Sequence, residues 1–190
     1  MLFYAADAEF VPPNFMGILD TPQNIWYNID IWNLLETITL ISGYGLINGA
    51  TMTRRQAREI IFSLIYEADF HKDVSFAQIY NNAIEDLEFD ENDYVRRTFF
   101  GMEEKLPMLD TLISEYAVGW KMERLSKVSH AIMRLCIYEM LYSEDVPASV
   151  AINEAMELAK TYDHDKAPAF INGVVNAIAK NKGLIQNDEA

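Results

Sequence analysis

Ser126–Tyr142, SKVSHAIMRLCIYEMLY, reads as one helix of about five turns. Val128, Ala131, Ile132, Met133, Leu135, Cys136, Ile137, Met140 and Leu141 leave little of its circumference for water. A helix apolar almost all round is one that its neighbours pack against. Ser126 is placed to cap it, because a hydroxyl there can accept from a free N–H of the first turn. Lys127, His130, Arg134 and Glu139 form its only polar strip.

Two amphipathic helices follow at short intervals. Asp145-Val146-Pro147 is a turn whose proline opens a helix over 148–162, with Ala151, Ala155, Leu158 and Tyr162 at helical spacing. Asp163–Asp165 interrupts the pattern, and a last helix is predicted over about 166–180, with Phe170, Val174, Ala177 and Ile178 on one face. Three helices with such short connections argue for an all-α bundle.

Upstream, Thr53 and Gln56 have the spacing of a capping box at the head of a helix reaching about Phe70. Further helices are predicted over 74–87, from an Asp90 cap to about Lys105, and over 106–116, so that seven lie between 53 and 181. Gly119-Trp120 ends this half, with Trp120 as a core or lid residue. Residues 182–190 read as a flexible tail.

The 190 residues suffice for one domain with a sizeable core, and 51% hydrophobic content excludes a mainly disordered chain. With a single Cys, no internal disulfide can form, nothing points to an oxidising compartment, and a cytoplasmic location is expected. Cys136, in the most apolar helix, is expected to be a buried, inert thiol. Three scattered His and no Cys pair offer no metal-ligand spacing. Phosphate-loop, GxSxG and HExxH motifs are absent, so neither an enzyme nor a cofactor is expected. His164, between Asp163 and Asp165, has no nucleophile beside it in the sequence.

Residues 1–51 differ from the rest. They hold five of the 29 acids and none of the 15 Lys and Arg residues. The missing basic n-region argues against a signal peptide. Asn28, Asp30, Asn33, Glu36 and Asn48 in or beside the apolar run 25–47 argue against a membrane span. Ile29–Ile41 suits a short helix or a strand. The segment is either an N-terminal extension of unknown role or upstream sequence from a misassigned start, Met52 standing directly before the first clear helix.

Arg54, Arg55 and Arg58 crowd the first turns of the helix that Thr53 caps. The helix dipole is positive there, which disfavours cations and favours phosphate. The cluster is therefore either an anion site, with RNA phosphate as the candidate ligand, or a solvated group of arginines. The net charge of −14 argues against broad nucleic-acid binding and suits a basic protein partner.

Several strings carry a family resemblance: Arg54-Arg55-Gln56-Ala57-Arg58-Glu59, Ala131-Ile132-Met133-Arg134-Leu135, Tyr138-Glu139, Asp145-Val146-Pro147, Ala151-Ile152-Asn153-Glu154-Ala155, Glu157-Leu158-Ala159-Lys160 and Phe170-Ile171-Asn172-Gly173-Val174. In this order they resemble the bacterial NusB transcription antitermination family over about 52–181. The resemblance implies an all-α fold of seven helices in two small sub-bundles. It implies no enzymatic activity but pairing with the ribosomal protein NusE, binding of boxA-type RNA, and a place with other Nus factors and RNA polymerase in ribosomal RNA transcription. Arg54, Arg55 and Arg58 match the family's basic RNA-binding motif, and Tyr66 and Phe170 match aromatic positions at its RNA surface. Arg134, Lys166 and Asn172 lie in the matched helices and join the predicted RNA-binding set. Phe170 also suits a core role. Gln56, Ser129 and Lys166 depart from residues found in some relatives, and residues 1–51 have no counterpart.

The competing readings are a helical protein-interaction module without RNA binding, and the RNA-binding appendage of an RNA methyltransferase; no second domain is read after residue 181. Whether the free protein forms a homodimer stays open.

Overall fold

The computed structural model describes residues 52–87, 91–117 and 125–186. The readings for 1–51, for Asp90 as a cap, for Gly119-Trp120 and for the end of the tail lie outside these residues. Among the described residues the secondary structure is entirely helical: α1 (Arg54–Phe70), α2 (Phe76–Leu87), α3 (Asp93–Glu103), α4 (Leu106–Tyr116), α5 (Lys127–Tyr142), α6 (Ala148–Tyr162) and α7 (Ala167–Asn181).

Helix starts follow local chemistry. The capping box at α1 is complete: Gln56 N–H donates to Thr53 Oγ1 at 3.3 Å, and Thr53 N–H donates to Gln56 Oε1 at 2.9 Å. α3 begins later than an Asp90 cap predicts, because the Asn92 side chain accepts from Tyr94 N–H at 3.0 Å and Val95 N–H at 3.2 Å. α2 likewise begins at Phe76 rather than Val74; Ser75 Oγ accepts from Gln78 N–H at 3.2 Å. Ser126 caps α5, accepting from Ser129 N–H at 2.9 Å. At the end of α7, Gly183 takes φ +68°, the left-handed conformation that lets Leu184 N–H reach back to Ala179 O at 2.9 Å.

α5 is the central element, with residues 131–137 all buried. It packs with α4, α6 and α7 on one side, while α1, α2 and α3 pack together on the other. Contacts of α1 and α3 with α5 join the two sub-bundles into one continuous core. Phe62, Phe99, Ile113 and Ile132 are among its fully buried members. Cys136 lies in this core, and burial pushes its thiol up to about 12.

Candidate nucleic-acid interface

Beyond the exposed Lys127, the polar strip of α5 faces inward, onto charged groups of other helices. Glu139, 1% exposed, receives Arg58 Nε at 2.9 and 3.2 Å and the Tyr94 hydroxyl. Arg58 also reaches Glu154 of α6 at 3.4 Å. This node joins α1, α3, α5 and α6. Burial pushes the Glu139 carboxyl up to about 7, and the Arg58 cation is what opposes a further rise.

A second node lies nearer the start of α5. Arg134 grips Asp110 of α4 with two hydrogen bonds, Nε at 2.6 Å and Nη2 at 2.8 Å, and holds Asp69 of α1 through Nη1 at 2.9 Å. His130 Nε2 stands 3.1 Å from Asp110. Burial raises the Asp69 and Asp110 carboxyls, but hydrogen bonds from Arg134, with Lys72 on Asp69 and His130 on Asp110, outweigh it and hold both below the usual carboxylate range.

These nodes divide the predicted RNA-binding residues. Arg58 and Arg134 are buried, at 5% and 4% exposure. Tyr66 is buried in an aromatic file, its ring 6.2 Å from Phe62 and 5.0 Å from Phe70. All three were expected at a surface. For Arg58 the reason is depth and not face: position 58 lies on the same side of the helix as 54, one turn further in, where it is covered and meets Glu139 of α5, while Arg54 at the helix end reaches water.

Arg54, Arg55, Lys166 and Asn172 are exposed, and Phe170 is half-buried against the core. Arg54 extends over the Tyr94 ring, 4.0 Å from its centroid, and pairs with Asp145. Arg55 lies 3.4 Å from Glu59 and acts on Glu157, whose carboxyl is lowered first by Lys160 and also by Arg55. Glu157, Lys160 and Asn172 line a shallow groove between α6 and α7. The head of α1 therefore sits beside the groove that carries Asn172. Asn172 accepts from Asn176 Nδ2 at 2.8 Å, and Lys166 precedes the first turn of α7, which has no side-chain cap.

Two exposed arginines at the positive end of a capped helix form an anion-facing surface in an acidic chain. Among the described residues no group of three or more His, Cys, Asp or Glu is arranged to hold a metal, and no helix is long and apolar enough to cross a membrane. The molecule is thus an α-helical protein of two joined sub-bundles, presenting a small basic surface at the head of α1. A sequence model of the NusB family matches residues 55–180, and the chain belongs to that family, whose members are non-enzymatic transcription antitermination factors. It is 43% identical over 131 residues to the transcription antitermination protein NusB of Ruminiclostridium cellulolyticum, covering 68% of this chain and 90% of the relative. It is 40% identical over 127 residues to that of Bacillus pumilus, covering 67% and 95%. The solved structure of T. maritima NusB superposes with a TM-score of 0.63 at 36% identity, covering 68% of this chain and 92% of that one. The fold is shared with a NusB solved with NusE and double-stranded RNA, at 22% identity and a TM-score of 0.60.

Proposed function

We propose that this chain is an RNA-binding adaptor in transcription antitermination. Paired with NusE, it binds boxA-type single-stranded RNA and, with other Nus factors, acts on RNA polymerase in the cytoplasm to suppress termination in ribosomal RNA transcription. Support comes from the family match, which begins at Arg55 in the first turn of α1, and from relatives named as antitermination proteins. The observation that carries the RNA reading is the pair of exposed arginines, Arg54 and Arg55, at the phosphate-attracting end of α1. The acidic remainder suits a basic ribosomal partner.

In this reading the predicted residues take two roles. Arg54, Arg55, Lys166 and Asn172 meet RNA, with Phe170 offering its accessible edge to a base. Arg58 and Arg134 hold α1 against α5 and so position the arginine head, while Tyr66 packs in the core. The test is binding of boxA-type RNA to the protein premixed with NusE, across a salt series, for wild type and Arg54→Ala/Arg55→Ala. Leaving Arg58 intact keeps the core node. The double variant should bind more weakly, with a log–log salt slope shallower by about 0.7 per lost phosphate contact. Equal affinity and slope would reduce the cluster to a solvated helix end, and NusE association without RNA binding would favour the protein-interaction module.

A further inference from the structure

Beyond the head of α1, cations and aromatic rings alternate along a strip that starts at Arg54. Arg54 and Arg97 both flank the Tyr94 ring, at 4.0 and 5.8 Å from its centroid. Both guanidinium groups converge on Asp145, Arg97 at 2.7 Å and Arg54 on the same carboxylate oxygen. The end of the Tyr138 ring packs against Gly101, one helical turn on from Arg97, which puts Tyr138 next along the strip. The Tyr138 ring lies 5.3 Å from that of Tyr142, and Lys105 Nζ is 5.7 Å from the Tyr142 centroid.

With Tyr94 buried beneath the arginines, the exposed cations and the outer ring Tyr142 give this strip the composition of a single-strand path. Backbone phosphates need cations, and unpaired bases need rings on which to stack. Tyr142 is 44% exposed, one of few large apolar side chains in the described residues left to water. The Arg54–Asp145–Arg97 clasp is also exposed, with side chains 48%, 40% and 61% accessible. An ion pair in such a setting is held weakly, so its carboxylate can be exchanged for another anion. Two arginines around one carboxylate leave a positive charge uncompensated, and a phosphate fits both guanidinium forks.

We propose that this strip is a second stretch of the RNA surface. Nucleotides leaving the head of α1 cross it as a single strand. One phosphate takes the place of the Asp145 carboxylate between Arg54 and Arg97, and one base stacks on Tyr142 beside Lys105. This extends, and rests on, the RNA-binding reading above.

The test uses the full chain premixed with NusE and two probes, a boxA-type RNA and the same RNA lengthened at either end by unpaired uridines. Wild type should bind the longer RNA more tightly. Tyr142→Ala should remove that gain, weakening the longer RNA about five-fold or more, the lower end of base stacking on an aromatic ring. Arg97→Ala should make the salt slope shallower by about 0.7. Asp145→Asn should tighten binding, because it removes the competing charge. Thermal melts confirm that these surface variants are folded. If Tyr142→Ala and Arg97→Ala bind both RNAs like wild type while Arg54→Ala/Arg55→Ala is impaired, the strip is not an RNA path although the RNA-binding reading stands. If wild type binds neither RNA, both fall together. If Tyr142→Ala loses NusE instead, the strip is a protein interface and the proposal is overturned.

Discussion

Arg58→Ala separates a positioning residue from a surface ligand. In the native protein Arg58 donates through Nε to both oxygens of Glu139, 2.9 and 3.2 Å away, from a site that is 5% exposed. Removing one partner of such a pair strands the other charge, at a cost of about 3–5 kcal/mol. The lower end applies here, because Glu139 already titrates near 7 and can take up a proton. A loss of about 3 kcal/mol in a folded unit of this size lowers Tm by about 12 °C at pH 7. The pH dependence has a defined sign. Without Arg58 the native Glu139 carboxyl rises further above its ordinary value of 4.5. Its contribution to stability is then fully present below about pH 4.5 and is lost as pH rises through the native value. The gap between variant and wild type should therefore be small near pH 5 and largest near pH 8. Thermal melts followed by circular dichroism at both pH values measure it, and Arg58→Met/Glu139→Gln should recover part of the loss. A melt within about 3 °C of wild type at both pH values, with RNA affinity nonetheless reduced, would refute the reasoning and return Arg58 to the surface.

Two further outcomes follow from the same geometry. Because Asp69 and Asp110 are held below the ordinary 3.8, their contribution is present above about pH 4 and is lost as pH falls; Asp110→Asn should flatten this acid limb and cost about 1–2 kcal/mol at pH 7, a value reduced for the partial exposure of Asp110. Gly101→Ala should lower stability by about 1 kcal/mol in urea unfolding despite the better helix propensity of Ala, since its Cβ would fall on the Tyr138 hydroxyl, with Cζ at 2.9 Å, and Tyr138→Phe in that background should restore part of the loss.

The seven helices were legible because their signals are local. The capping box at Thr53 and Gln56, the Ser126 cap and the near-continuous apolar surface of α5 are each written within a few residues. The start of α3, two residues later than an Asp90 cap predicts, shows the limit of such reading. Both side chains can accept from free N–H groups, and position alone does not choose between them. The site was less legible. Arg54, Arg55 and Arg58 look equivalent in sequence, yet Arg54 lies over a tyrosine ring at the surface and Arg58 is sealed beneath it.

The sequence by itself determined an all-α chain, the starts of most helices and the central place of α5, because helix periodicity and capping act over one or two turns, and its ordered strings carried the resemblance to the family. Only the tertiary structure decided which charged residues face water. Arg58 meets Glu139 across 81 residues, Arg134 meets Asp110 across 24, and Arg54 and Arg97 meet at Asp145. Burial and electrostatic partnership depend on which helices pack together, and spacing along the chain does not encode that.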